Sequence, residues 1–226
     1  MRYALFNALE AEQVALVAAA PPASEAQGIL TVAQAAFGDL RGLLLTAPDD
    51  LLDREPAPAE WSVRRTLVHT IGVERSYRAN TLHGATRREG EPLTLSAEQR
   101  PSPDPADTAG DVLAVVAAFA RRRAETDAAL SSLAPEQLAR PSQWSAVEGL
   151  IDVDVRFRLH RFASHIAEHA QQCEKTLRSL GHAQTDAHAV VRRISAVRGW
   201  HERRSGAGML ARLDAALAER AASLTA

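Results

Sequence analysis

Histidine is the residue type in this chain most able to do chemistry, and it occurs at His69, His83, His160, His165, His169, His182, His188 and His201. His165 and His169 stand apart from the rest. They lie within a run in which Leu159, Phe162, Ile166, Ala170, Cys173, Leu177 and Leu180 recur at three- and four-residue steps, the stripe of a core helix. At about 100° per residue, positions four apart differ by only ~40° and stack on one face. Both imidazoles could then reach one ion at the ~2.0–2.1 Å that zinc prefers. His169 falls on the apolar stripe and His165 borders it, so the pair is expected to face the interior. A buried imidazole without a partner costs about 1–3 kcal/mol, and a metal would satisfy two at once. The other reading is that the spacing is coincidental, with one histidine hydrogen-bonded in the core and the other on the surface. His160 serves as a contrast, because five residues before His165 it is ~140° away around the same helix.

A two-histidine site needs a third ligand from another helix. His69 is the candidate, about two turns into the segment Trp61-Ser-Val-Arg-Arg-Thr-Leu-Val-His69-Thr-Ile-Gly-Val-Glu74. Gly72, one turn on, would let a neighbouring helix or ligand come close. Three neutral histidines leave a divalent ion its charge and an open position, the catalytic rather than the closed structural arrangement. Such an ion would lower the pKa of a water or hold a thiol as its thiolate.

Other residues near the pair admit a chemical and a bland reading. His165-Ile-Ala-Glu168-His169 matches the inverted zincin pattern, with Glu168 as base and Glu174, Glu202 or Glu219 as third ligand; the bland reading makes Glu168 a solvated surface residue. Cys173 is either a fourth ligand or a small buried side chain. Glu74 either hydrogen-bonds beside the site or forms a surface ion pair. Trp61 and Trp144 are expected to cap the bundle core. Arg192, Arg193, Arg198, Arg203 and Arg204 form a basic stretch, but Glu202 interrupts it and no aromatic ladder accompanies it, so a solvated helix face is expected rather than a nucleic-acid surface.

The elements that must position these residues are helical. The chain has 226 residues, 46% hydrophobic and 24% charged, an ordinary globular mix that excludes wholesale disorder. Alanine is abundant and is the best helix former, while strand-like alternation is scarce. Lys175 is the only lysine, a bias expected from coding composition. Prolines punctuate the chain up to Pro141 and none follows, so the segments between them are the candidate helices. The spacing predicts helices at about 3–19, 25–46, 62–82, 109–132, 148–180, 184–200 and 207–224. Ser62 is a candidate N-cap, as are Asp107 or Thr108 with Asp111 in the first turn that follows; Gly181 is a candidate C-terminal stop. The residues from His83 to Ala109 read as a long loop, uncommon in a compact domain and often mobile or functional. Helices joined by modest connections are most simply an antiparallel bundle.

The net charge of −2 gives no global attraction to nucleic acid or anionic lipid. No apolar run of about 18 residues is present, so no transmembrane helix is expected. Glu10, Glu12 and Gln13 interrupt the N-terminal apolar region, which argues against a signal peptide and for a soluble cytoplasmic protein. One cysteine excludes an intrachain disulfide.

The pattern W-S-V-R-R-T-L-V-H-x-x-x-x-E, followed about 90 residues later by R-L-H-R-F-A-S-H-I-A-E-H-A-Q-Q-C-E-K-T-L, resembles the DinB/YfiT-like superfamily over roughly residues 30–181. The resemblance implies an all-α protein: a DinB-like up-down four-helix bundle, with additional helices at 1–29 and 182–226 flanking a bundle at 30–181. It implies a homodimer and a divalent metal, zinc or nickel, on His69, His165 and His169. It also implies a metal-dependent enzyme, a thiol S-transferase or hydrolase, acting on a small-molecule electrophile with water or a low-molecular-weight thiol such as mycothiol or bacillithiol. The alternative is a metal-binding or scaffold protein without catalysis.

Overall fold

The computed structural model describes residues 2–102, 104–146 and 149–225, with side chains from 4 to 216. Its helices are α1 (Arg2–Ala18), α2 (Glu25–Leu44), α3 (Val63–Thr86), α4 (Val112–Leu130), the single turn α5 (Pro135–Leu138), α6 (Val155–Ser179), α7 (Asp186–His201) and α8 (Ala207–Thr225). A two-stranded antiparallel hairpin, β1 (Pro141–Ala146) and β2 (Gly149–Asp154), precedes α6. Among the described residues, no helix is long and apolar enough to cross a membrane.

Helices α2, α3, α4 and α6 form the bundle, and their ends fix their directions. Near one end, the backbone N–H of Arg64 at the start of α3 donates to Leu52 O, just beyond α2. Its guanidinium bonds Asp53 and the carbonyl oxygen of Gly110, just before α4. Ser24 before α2 donates to Ser131 O after α4, and Arg156 at the start of α6 pairs with Glu25. Helices α2 and α6 therefore run one way and α3 and α4 the other, in the order up, down, down, up. The parallel pair α3 and α4 explains the long irregular segment between them. Residues 87–111 must carry the chain back along the whole bundle, as long crossover connections do in other bundles.

The caps follow the expected chemistry. Ser62 accepts from Arg65 N and Asp154 from Phe157 N. Asp111 is itself the N-cap of α4, accepting from Ala114 N, rather than a first-turn residue behind Asp107 or Thr108. Gly181 ends α6 at a φ of +89°, where His182 N reaches back to Leu177 O, a glycine-dependent stop.

The hairpin is the main departure from expectation, since helix was expected from 148. Gly149, at a φ of +116°, turns the chain, and Ile151, Val153 and Val155 alternate with Leu150, Asp152 and Asp154. β-branched residues at period two suit a strand. The absence of proline after Pro141 permits a helix there but does not require one.

Helix α7 packs along α2 at backbone distance. A Cβ on Gly38 would stand 2.2 Å from Ser195 O, and one on Gly199 would stand 2.4 Å from Gln34 O. Helices α1 and α8 then close around a cluster in which Glu12, Arg198 and His201 are buried. Glu12 accepts from Arg198 Nε at 2.9 Å and contacts His201 Nε2 at 2.6 Å, while Arg198 also reaches Asp214 at 2.9 Å.

Apolar burial falls into two clusters. One holds Phe37, Leu67, Ile71, Phe119 and Ile166; the other holds Ala33, Ala85, Leu130, Leu159 and Phe162. Along α3, α4 and α6 the residues separating these clusters are polar: Glu74, Arg123, Thr126 and His165 are all buried. One of the candidate histidines, His165, belongs to this mid-height layer.

Candidate metal centre

Helix α6 supplies His165 and His169 one turn apart, and α3, running antiparallel to it, supplies His69. The three rings face one another. His169 Nε2 lies 3.0 Å from His165 Nε2, which lies 3.3 Å from His69 Nε2. The three ligand nitrogens fall within 4.8 Å of one another. His165 and His169 are buried and His69 is half-buried. His160 is exposed, as its angle around α6 requires.

Burial pushes the His165 imidazolium down to about 3, with His169 and His69 adding like-charge repulsion. Burial lowers His69 as well. Burial thus favours the neutral form of His69 and His165, with lone pairs free for coordination. Gln172 settles the tautomer of His169. Its Oε1 is 2.9 Å from Nδ1 and can only accept, so Nδ1 carries the proton and the Nε2 lone pair faces the cluster. A tetrahedral ion with ~2.0–2.1 Å bonds holds its ligand nitrogens roughly 3.3–3.4 Å apart. The two separations from His165, 3.0 and 3.3 Å, are close to that spacing.

The surroundings leave one side accessible. The Trp61 ring tilts against His69 at 5.3 Å and divides two clefts. One, of about 320 Å³, is lined by His169, Gln172 and Lys175. The other, of about 360 Å³, is lined by His69, Arg65 and Gly72. A Cβ on Gly72 would meet nothing within 4 Å, so its open surface borders a cleft rather than a helix contact. On the other side Tyr77 packs on His165 at 5.4 Å and on Trp144 at 4.8 Å. Trp61 thus borders the site, while Trp144 reaches it only through Tyr77.

The remaining candidates lie elsewhere. Among the described residues, the only group of three or more potential ligands is His69, His165 and His169. Glu168 is exposed on α6. Glu174 pairs with Arg192 at 2.6 Å, and Glu202 accepts from Gln34 and Arg41. The Glu219 side chain lies outside the described residues. Cys173 is buried in the core, and burial pushes its thiol up to about 12, a thiol rather than a thiolate. Glu74 is buried, accepting from Arg123 Nη1 and Thr126 Oγ1 at 2.6 Å each, and so joins α3 to α4. Much of the basic stretch is tied down: Arg192 pairs with Asp39, Arg198 with Glu12 and Arg203 with Asp127. Tyr77 and Gln172 escaped the sequence reading. Gln172 had a signal, its position three residues after a candidate ligand; Tyr77, two turns beyond His69, had none without a tertiary partner.

Comparison with known proteins adds the lineage. No curated protein matches the chain. Among solved structures it is similar to YfiT from Bacillus subtilis, a probable metal-dependent hydrolase with an unusual four-helix bundle topology. The TM-score is 0.53 at 18% identity, over 70% of this chain and 90% of YfiT. At that identity the likeness concerns the fold. The family model described as the DinB superfamily matches residues 33–173, from within α2 to just past His169. That span takes in α3, α4, most of α2 and α6 and all three histidines, and the chain belongs to the DinB superfamily.

Proposed function

We propose that the protein is a metal-dependent enzyme in which His69, His165 and His169 hold a divalent ion, zinc or nickel. Its attack on a small electrophile would use water or a low-molecular-weight thiol such as mycothiol or bacillithiol. The observation that carries this reading is the convergence of three ring nitrogens within 4.8 Å of one another, with no fourth histidine, cysteine or carboxylate ligand among the described residues and two clefts flanking Trp61 on the open side. A bound ion would supply the Lewis acidity that lowers the pKa of the attacking group. The chain's own contribution is orientation and exclusion of water. Gln172 fixes the His169 tautomer, Trp61 covers the outer edge of His69, and Tyr77 backs His165. Burial raises the Tyr77 phenol, which keeps it protonated and able to donate. The probable hydrolase assignment of YfiT agrees with the water route. A purely structural metal would call for a closed site, and the clefts favour an open one.

Metal analysis of the purified protein tests the centre. About one ion per chain is expected, lost in His165→Ala; a metal-free protein that takes up none on incubation with zinc or nickel would overturn it. Hydrolysis of a chromogenic ester, compared with conjugation of a chromogenic halide in the presence of each thiol, then separates the two routes.

A further inference from the structure

A separate cavity, of about 170 Å³, lies on the far side of Tyr77 from the histidines, between α3, the hairpin and the crossover segment. Tyr77, Asn80, Arg100, Trp144, Ser145 and Arg158 line it. Its charges are unusual for this molecule. The other arginines that are buried among the described residues meet carboxylates: Arg123 meets Glu74 and Arg198 meets Glu12. Arg158 is only 4% exposed, yet among the described residues no carboxylate pairs with it. Its Nε donates to Ser142 Oγ at 2.6 Å and its Nη2 to the Gln143 carbonyl oxygen. These neutral acceptors hold the guanidinium in place without balancing its charge, and Nη1 has no protein acceptor among the described residues. Burial lowers Arg158 to about 10, with Arg100 adding repulsion.

Arg100 and Arg161 form no carboxylate ion pair among the described residues either. Arg100 is exposed, its guanidinium making a 3.4 Å bond to Leu95 O with the charge of the exposed Glu98 nearby. Arg161 Nε is buried with no hydrogen-bond partner, while its guanidinium bonds the Tyr77 hydroxyl. Arg158 and Arg161 both lie over the Trp144 ring, at 5.5 and 5.4 Å. A buried, unbalanced cation is costly, and a cavity beside it with further cations and hydroxyl groups is where an anion would offset that cost.

We propose that this cavity binds a small anionic group, a carboxylate or a phosphate, on Arg158 and Arg100. Resting on the metal-centre reading above, the proposal further makes the substrate an acid, its anionic end seated here and its reactive end past Tyr77 at the histidines.

Thermal melting with succinate, with inorganic phosphate and with neutral succinamide, at matched ionic strength, tests the pocket. A saturable rise in Tm is expected for at least one anion and none for succinamide; which anion acts tells carboxylate from phosphate. Arg158→Met should weaken binding by at least about tenfold, and Arg100→Met, altered at an exposed side chain, should weaken it severalfold. Arg100→Met keeps the test decisive should Arg158→Met fail to fold. No saturable rise with either anion, or equal rises in wild type and Arg100→Met, would overturn the pocket. His165→Ala separates the two readings. Anion binding that survives in this metal-free variant supports the pocket independently of the metal, and anion binding that disappears would show that the ion, not the arginines, was the anion's partner.

The substrate class is tested with metal-loaded protein. Succinic or glutaric monohydroxamate should bind at least about tenfold more tightly than acetohydroxamate, the gain vanishing in Arg100→Met or Arg158→Met. No gain for either acid would overturn the acidic substrate while leaving the pocket standing.

Discussion

At the scale of single residues, the three histidines divide their duties by burial. His165, between the other two and most strongly desolvated, is the hub, and removing it leaves His69 and His169 without a common partner. His165→Ala is expected to drop bound metal from about one ion per chain to near zero, as read by elemental analysis, with an unchanged helical circular dichroism spectrum. Gln172 acts one step further out. It touches no candidate ligand atom but sets which nitrogen of His169 is free. Gln172→Leu is expected to weaken metal binding by about 10–100-fold, measured by chelator competition, without altering the melting temperature of the metal-free protein. At this scale the sequence was informative. Spacing on one helix face pointed to His165 and His169, and a mid-helix position pointed to His69. It was silent on Tyr77 and Arg158, because their relevance lies in what the hairpin and the crossover segment bring against them.

At the scale of elements, the same residue type does opposite things in two helices. Gly199 is pressed against α2, where a Cβ would meet Gln34 O at 2.4 Å and Ala35 Cα at 2.7 Å, both backbone. Gly199→Ala is expected to cost about 1–3 kcal/mol through overpacking, or about 2–4 °C in Tm for each kcal/mol. Gly72 faces open space on α3. Gly72→Ala is expected to gain about 0.5–1 kcal/mol by removing a flexible residue from a helix interior, with metal content unchanged. Paired thermal melts check both signs. Periodicity located the ends of the seven long helices within about four residues, except the start of α6, expected at 148 and found at Val155, because the apolar stripes and prolines act locally. The hairpin went unseen because its alternation covers only a short run, and its pairing is made across a turn rather than along the chain.

At the scale of the whole molecule, the terminal helices are integral to the structure rather than appended to it. Helices α1, α7 and α8 meet around Glu12, Arg198 and His201, with Glu12 and His201 shut off from solvent. Burial alone would raise the Glu12 carboxyl; hydrogen bonds from His201 and Arg198 more than offset it, and its pKa falls below the ordinary value of 4.5. On acidification the unfolded chain takes up this proton before the folded one does. The stabilisation is thus complete above pH 4.5 and fades as pH falls through the depressed folded value. Glu12→Gln leaves the buried Arg198 with only the exposed Asp214 as a carboxylate partner and is expected to cost roughly 3–5 kcal/mol. Its melting temperature should also lose part of the wild-type decline below that pH; an unchanged acid profile would rule out this cluster as a source of acid sensitivity.

What the sequence determined by itself was local. Helix-forming composition, apolar stripes, caps and the one-turn spacing of two histidines all act within a few turns of chain, and each is written in neighbouring residues. The tertiary structure alone decided the rest: that α3 and α4 run parallel, that α7 lies on α2 through glycines, and that Arg158 is buried without a carboxylate. These depend on contacts between residues far apart in the chain, where many pairings are compatible with the same local pattern. Packing selects the one that fills space and satisfies the buried polar groups.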